Sequence, residues 1–235
     1  MRIRDLNWMQ LEEYLARDDR IVLPIGSTEQ HAYLSLETDN ILAEGVSVEA
    51  AEPLGVPVLP VLAYGLTPLF AAAYPGSPTL RLETFVAVIR DLLDSLYAQG
   101  FRRFLLVNGH GGNTPAQSVA REWSAEHADA QAIFHNWWVG PKTWGTVESI
   151  GQGSHASWME NFPSTRLEGV ELPDDEKPML DEVAYRVVDP ERLRDLIGDG
   201  SFGGVYERPD EDMQRIWEAG VAEVRELLES AWRPE

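Results

Sequence analysis

Four short apolar runs, separated by segments with helical periodicity, constrain the fold of this chain more than any other feature. They occupy residues 20–25, 56–61, 103–107 and 131–137. Strands that alternate with helices along a chain pair in parallel, because each helix crosses a face of the sheet before the next strand begins. The order of the runs therefore predicts an α/β fold in which helices cover both faces of a parallel sheet.

A short helix that carries Trp158 and Glu160 is predicted after His155, and six longer helices are predicted from apolar residues at helical spacing and from helix-end signals. Their ranges are 8–17, 39–52, 82–99, 115–127, 190–197 and 209–232. Two other segments lack this spacing. Residues 63–80 are rich in Gly and Pro and predict an ordered functional loop, and residues 167–182 predict an acidic surface segment.

Composition limits the classes of protein to which the chain can belong. The 235 residues are predicted to form one domain, 1–235, and an apolar content of 44% suffices for a full core. A formal net charge of −20 argues against nucleic acid or an anionic membrane as a partner, because either would be repelled. Without cysteine, metal ligands must be His, Asp or Glu. No run is typical of a signal peptide or membrane span, so we expect a soluble, cytoplasmic protein.

The segment after the first apolar run carries candidate metal ligands. Glu29 and His31 stand two residues apart, which in extended backbone places both side chains on one face. Asp39 follows at the start of the next predicted helix. Carboxylates and an imidazole just past a strand suit a divalent metal, and open α/β sheets place their active sites at that edge.

Three further residues extend this candidate site. His110 follows the third apolar run between glycines, which let a ligand approach the main chain. Parallel strands end at one edge, so His110 is expected beside the ligands of the first run, with His155 and Glu160 entering from a loop past the fourth run. The whole set suffices for two metal ions. The other histidines, His127 and His135, are interpreted as structural.

Together these residues are similar to the motifs of the creatininase (creatinine amidohydrolase) family. The similarity spans residues 26–160 and comprises Glu29-Gln30-His31, Asp39, Tyr74-Pro75-Gly76-Ser77, Asn108-Gly109-His110-Gly111-Gly112-Asn113, and His155 with Glu160. The resemblance implies a three-layer α/β/α sandwich around a mainly parallel sheet. It also implies a homo-oligomer, often a hexamer, that hydrolyses a C–N bond of a small cyclic or linear amide with two Zn, Mn or Fe ions.

The resemblance also implies a role for each matching residue. The expected metal ligands are Glu29 and His110 on one ion, His31 on the other, Asp39 as the bridge, and Glu160. Glu160 is expected either to complete the second ion or to act as a general acid or base. His155 is expected to protonate the departing nitrogen. The expected substrate-binding residues are Tyr64, Ser77, Gly111, Asn113, Trp138 and Trp144.

Two departures indicate a divergent member of the family and not creatininase itself. Gly112 stands where creatininase has a metal-binding glutamate, and the stretch before Asp39 lacks a histidine that the family usually has. Two glycines after His110 are more similar to the deformylase-like and peptide-processing branches. Two alternatives therefore stay open: a deformylase or processing peptidase that uses the same metal site, and a non-catalytic metal-binding protein.

Overall fold

A sheet of three parallel strands lies at the centre of the protein. The computed structural model describes residues 1–233, without the side chains of residues 182 and 186, so the end of the predicted domain 1–235 lies outside the described residues. The strands are β1 (Arg20–Ile25), β2 (Arg103–Asn108) and β3 (Gln131–Asn136), in the order β1-β2-β3. Ile25 pairs with Asn108 and Asn108 pairs with Asn136, so all three strands end at one edge. The predicted parallel α/β sheet is confirmed.

The second predicted strand, residues 56–61, does not form a continuous ladder. Val58 of this segment and Leu62 just after it meet β1 in parallel through isolated bridges to Val22 and Ile25. Pro57 and Pro60 have no N–H group, so the segment cannot donate hydrogen bonds at regular intervals. The prediction of a full strand here is wrong, although the segment extends the sheet beyond β1.

Nine α-helices surround the sheet within the described residues. They are α1 (Trp8–Leu15), α2 (Thr38–Ala51), α3 (Pro68–Ala73), α4 (Leu82–Ala98), α5 (Pro115–Glu126), α6 (Pro141–Ile150), α7 (Glu182–Val187), α8 (Leu193–Ile197) and α9 (Asp210–Ser230). Five of them, α1, α2, α4, α5 and α9, begin and end within two residues of their predicted bounds. A 3-10 turn, Pro190–Arg192, precedes α8 and completes the helix that was predicted there.

Helices pack on both faces of the sheet because side chains alternate along each strand. Val22 faces one core, which it shares with α2, α6 and α9. Ile21 and Leu23 face the opposite core, which they share with α1, α4 and α5. The molecule therefore has three layers, as the resemblance implies.

Three helices occupy segments for which the sequence predicted none. The helix α3 interrupts the predicted loop 63–80, α6 follows two tryptophans, and α7 follows the acidic segment. Phe70 of α3 packs with Leu193 and Ile197 of α8 in a third apolar cluster. Across residues 1–233, no helix has both the length and the apolar character that crossing a membrane requires.

Candidate metal centre

The carboxyl edge of the sheet brings the predicted ligands together. Glu29 and His31 follow β1, His110 follows β2, and Asp39 lies in the first turn of α2. The ligand atoms fall into three overlapping groups drawn from six side chains, and within each group they lie within 4.8 Å of one another. These side chains are Glu29, His31, Asp39, His110, His155 and Glu160. All of the residues predicted to ligate metal are therefore in one place.

Two glycines allow the start of α2 to approach the ends of the strands. A Cβ atom at Gly26, just past β1, would overlap the side chain of Asn40. A Cβ atom at Gly109, just past β2, would overlap the backbone oxygen of Asp39. The absence of a side chain at both positions is what lets Asp39 reach the space between the strand ends.

Asp39 lies between two histidines. Its Oδ1 atom is 3.1 Å from His31 Nε2, and its Oδ2 atom is 3.2 Å from His110 Nδ1. Glu29 Oε2 is 3.3 Å from His110 Nδ1, and Glu160 Oε2 is 3.7 Å from His31 Nε2. Two clusters therefore share Asp39, one with Glu29 and His110 and the other with His31 and Glu160.

Three buried atoms of this centre lack a hydrogen-bond partner among the described residues. They are Glu29 Oε2, His31 Nε2 and Asp39 Oδ2. Each buried polar atom left unpaired costs roughly 1–3 kcal/mol, so an arrangement of this kind needs a compensating ligand. Carboxylate oxygens and imidazole nitrogens are donors that Zn, Mn and Fe accept. The residues present therefore fit a divalent metal.

Burial and neighbouring charges shift the pKa values of the side chains in this centre in opposite directions. Burial lowers the pKa of His31, but Asp39, Glu160 and Glu29 outweigh it and raise this pKa to about 10. Burial also lowers the pKa of His110, but the nearby carboxylates of Glu29 and Asp39 outweigh this effect and raise the pKa well above its usual value. For Glu160, burial dominates and raises the pKa to about 7. A bound cation would replace these protons, because a ligating imidazole is neutral.

The two asparagines of the Asn-Gly-His-Gly-Gly-Asn motif hold the backbone of the site. Asn108 Nδ2 donates to the backbone oxygen of His110 at 2.6 Å. Asn113 Nδ2 donates to the Gly26 oxygen at 2.9 Å, and Asn113 Oδ1 accepts from the Leu66 N–H at 3.0 Å. His110 Nε2 donates to the Leu66 oxygen at 2.9 Å, which leaves Nδ1 free to face the carboxylates. A carbonyl contact of this kind orients a metal-ligating histidine.

Gln30 fixes the proton position on His155. Gln30 Oε1 accepts from the Ala32 N–H at 3.1 Å and Gln30 Nε2 donates to the Gly200 oxygen at 3.1 Å, so both ends of the amide are assigned. Gln30 Nε2 also lies 2.8 Å from His155 Nε2. An amide nitrogen can only donate, so His155 Nε2 accepts and the neutral ring carries its proton on Nδ1. Burial, together with the nearby His31, lowers the pKa of His155 well below its usual value.

A cavity of about 380 Å³ opens onto the centre. Of the predicted substrate-binding residues, Gly111, Trp138 and Trp144 line it. Ser77 is buried behind the site, where its Oγ accepts a backbone N–H at 3.0 Å, and Asn113 is buried in the network described above. Tyr64 is 53% exposed and does not line this cavity.

Three aromatic side chains at the cavity were not predicted from the sequence: Phe70, Tyr185 and Phe202. The ring of Phe70 stacks on His155 with centroids 5.0 Å apart, and the ring of Phe202 lies 4.8 Å from the same histidine. They come from α3, from α7 and from the glycine-rich segment 198–204. The sequence shows only that aromatic residues occur in or near Gly-rich segments, and this does not indicate where those segments pack.

The fold and the centre define a class of protein. It is a three-layer α/β protein with a buried carboxylate–histidine centre at the carboxyl edge of a parallel sheet. The creatininase family, described as creatinine amidohydrolase, matches residues 4–228 of the sequence. The chain belongs to this family.

Curated relatives match part of the chain. Creatinine amidohydrolase of Pseudomonas putida is 30% identical over 118 residues, which are 48% of this chain and 45% of that protein. The 3-dehydro-scyllo-inosose hydrolase of Thermotoga maritima is 30% identical over 103 residues, or 43% and 33% of the two chains. The mycofactocin precursor peptide peptidase of Mycolicibacterium smegmatis is 32% identical over 107 residues, or 43% and 42%. The chain thus spans between a third and a half of the length of these relatives.

Solved structures share the fold over the whole chain. A crystal structure of creatinine amidohydrolase gives a TM-score of 0.80 at 23% identity and covers 100% of this chain and 98% of that chain. A manganese form of creatininase gives 0.81 at 21% identity, with 99% of each chain covered. A variant creatininase of the Zn–Zn type gives a TM-score of 0.80 at 22% identity and covers 99% of this chain and 98% of that chain. At these identities the likeness shows the fold, and it confirms the predicted creatininase-like sandwich.

Proposed function

We propose that this protein is a metal-dependent hydrolase that cleaves the C–N bond of a cyclic or linear amide with the help of two divalent cations. The observation that carries the proposal is the position of Asp39 between two carboxylate–histidine clusters in a buried cavity. Family membership supports it, since the family is described as creatinine amidohydrolase.

The two clusters indicate how the cations would be held. Glu29 and His110 would bind one, His31 and Glu160 would bind the other, and Asp39 would bridge them with its two oxygens. Solved creatininases of manganese and zinc–zinc type support Mn or Zn as candidates. When bound, the cations would polarise the amide carbonyl and make hydroxide available near neutral pH.

The side chains of this protein supply the remaining chemistry. Because its low pKa keeps the ring of His155 neutral, its Nδ1 hydrogen would donate a hydrogen bond to the departing nitrogen, and the proton that this nitrogen takes up would come from the attacking water. Backbone N–H groups at Gly111 and Gly112, two residues that line the cavity, would stabilise the developing oxyanion. Trp138 and Trp144 reduce the access of water to the cavity.

A second candidate function is the cleavage of a formamide or of a peptide bond at the same centre. Gly112 favours it, because a Cβ atom there would overlap the Leu66 backbone oxygen and crowd His110. The glutamate of creatininase has no room at this position. The similarity to a mycofactocin precursor peptide peptidase also supports this reaction.

Hydrolysis assays on metal-loaded protein test both candidates. Zn- and Mn-loaded samples would be incubated with a panel of lactams, including creatinine, and of formamides and short peptides, with and without a chelator. We expect metal-dependent hydrolysis of at least one class and its loss in the Glu29→Gln variant. Stoichiometric metal without hydrolysis of any member would favour the third alternative, a non-catalytic metal-binding protein.

A further inference from the structure

A second, larger pocket adjoins the cavity at the metal centre. The inner cavity measures about 380 Å³ and the outer pocket about 840 Å³. Six residues line both: Trp144, Gly153, Ser154, His155, Tyr185 and Phe202. The two spaces are therefore adjacent, and a substituent that extends past His155 from the centre would enter the outer pocket.

The outer pocket is suited to an apolar group. Its walls include Trp144, Met179, Leu180, Tyr185 and Phe202. A pocket of several hundred Å³ with such walls accepts a drug-sized group, whereas a compact lactam would leave it empty. Burial of apolar surface against these side chains would contribute about 25 cal/mol per Å² to binding.

The charge of the lining also discriminates between ligands. Among the described side chains that line either space, none is a lysine or an arginine, and Glu148 lies at the outer pocket. An anionic group would be repelled by this exposed carboxylate. An ammonium or guanidinium group would be attracted to it.

The wall that carries Met179 and Leu180 is held in place by backbone pairing. The Leu180 N–H donates to the Phe202 oxygen at 2.8 Å, and Lys177 and Gly204 exchange hydrogen bonds of 3.1 and 2.8 Å. Lys177 Nζ also donates to the backbone oxygen of Ser201 at 2.7 Å. Hydrogen bonds between backbone segments therefore hold this wall of the outer pocket in a defined position.

We propose that the substrate is an amide with a bulky apolar substituent that ends in a positively charged group, and that this substituent occupies the outer pocket. The apolar part packs against Tyr185 and Phe202, and the charged end lies toward Glu148. The inference rests on the proposed function, because the amide itself would be bound at the metal centre. It excludes compact cyclic amides and anionic amides as preferred substrates.

Hydroxamates provide the probes, because a hydroxamate chelates a metal and can carry a chosen tail. Zn-loaded protein would be titrated with acetohydroxamate, 4-phenylbutyrohydroxamate, and the para-aminomethyl and para-carboxy forms of the latter, with Kd measured by calorimetry. We expect the phenyl tail to tighten binding about tenfold or more over acetohydroxamate. The aminomethyl form should bind more tightly than the unsubstituted phenyl form, and the carboxy form more weakly.

Variants of the outer pocket separate its two features. Met179 is 40% exposed, and Met179→Trp should fill the pocket and reduce the tenfold advantage of the phenyl tail to near unity. Glu148→Gln should abolish the preference for the aminomethyl over the carboxy form. The matched control is Glu83→Gln, an exposed carboxylate on α4 that lines neither space, and it should leave every Kd unchanged.

The outcomes distinguish this inference from the function on which it rests. If acetohydroxamate binds but the phenyl tail adds nothing, or the carboxy form binds best, the assignment of the outer pocket is overturned and the metal centre stands. If Zn binds but acetohydroxamate does not, the proposed hydrolytic centre is contradicted, and the inference is overturned with it.

Discussion

At the scale of single residues, the two-metal proposal depends on the carboxylate of Asp39. It is the one predicted ligand that lies within 3.2 Å of both His31 and His110. In Asp39→Asn the negative charge is lost and one oxygen becomes an amide donor, so both cations should bind more weakly. We expect the bound metal per chain to fall well below that of the wild type and hydrolysis to fall about a hundredfold or more. Elemental analysis and kcat measure these changes, and two retained metals would contradict the bridge.

Gln30 gives a second prediction at this scale, because its amide assigns the tautomer of His155. Gln30→Leu removes the donor at 2.8 Å from His155 Nε2, so the ring should populate both neutral tautomers. We expect kcat to fall about tenfold with a smaller change in KM. Nitrogen-15 NMR of Zn-loaded protein reports the tautomer directly. An unchanged tautomer signature in the variant would show that Gln30 does not position this histidine.

The positions of individual candidate ligands were predictable because they follow from strand ends. Glu29, His31 and His110 stand directly after apolar runs, and parallel pairing then dictates that they meet. Residues from long connections were not predictable in this way. The polar atoms of Ser77 and Asn113 hold backbone N–H and C=O groups, which the sequence does not reveal, and the binding of substrate by these two residues stays a prediction.

At the scale of secondary structure elements, the contact between α2 and the end of β2 determines the geometry of the centre. A methyl group at Gly109 would collide with the backbone of Asp39, and a backbone cannot move as a flexible side chain does. Gly109→Ala should therefore displace α2, weaken metal binding at least about tenfold and lower the stability by about 1–3 kcal/mol. Gly111→Ala is the matched control for stability, since a Cβ there meets no atom within 4 Å. Equal metal affinity in wild type and Gly109→Ala would contradict this role.

An ion cluster joins the starts of β1 and β2. Asp18 accepts from Arg20 Nη2 at 2.6 Å and from Arg103 Nη2 at 3.1 Å. Burial raises the pKa of Asp18, but the hydrogen bonds from Arg20 and the charge of Arg103 outweigh it and hold the pKa below 3.8. Because the folded-state pKa is depressed, the stabilisation is present above the unfolded value and is lost as the pH falls through the folded value.

Asp18→Asn should therefore destabilise the protein by about 1–3 kcal/mol near neutral pH. The difference from wild type should shrink as the pH falls from the unfolded pKa towards the lower folded pKa, and should be lost below the folded value, where the wild-type carboxyl is also neutral. Urea denaturation at several pH values measures both quantities. A difference that stays constant down to low pH would show that the charge of Asp18 does not contribute.

Elements with an uninterrupted pattern were predicted well, and elements with mixed signals were not. The helix α4 has a continuous apolar stripe and a glycine stop, and its bounds agree with the prediction to within one residue. Residues 56–61 satisfy the composition of a strand, but their prolines remove the donors that a ladder needs. The short helices α3 and α6 begin at prolines in segments rich in Gly, which favoured a loop.

At the scale of the whole molecule, the three-layer arrangement was predictable because alternation of strands and helices leaves few other ways to bury both faces of a sheet. The large pocket beside the centre was not predictable, since its walls include α6, residues 179–180 and Phe202, which are distant in sequence. The expected homo-oligomer and the expected cytoplasmic location stay predictions.

The most direct measurement of the central claim is a crystal structure of the metal-loaded protein with anomalous difference maps on both sides of the metal absorption edge. We predict two peaks in the cavity, one beside Glu29 and His110 and one beside His31 and Glu160, with a carboxylate oxygen of Asp39 at each. A single peak that Asp39 does not contact, or no peak at this edge of the sheet, would contradict the two-metal centre.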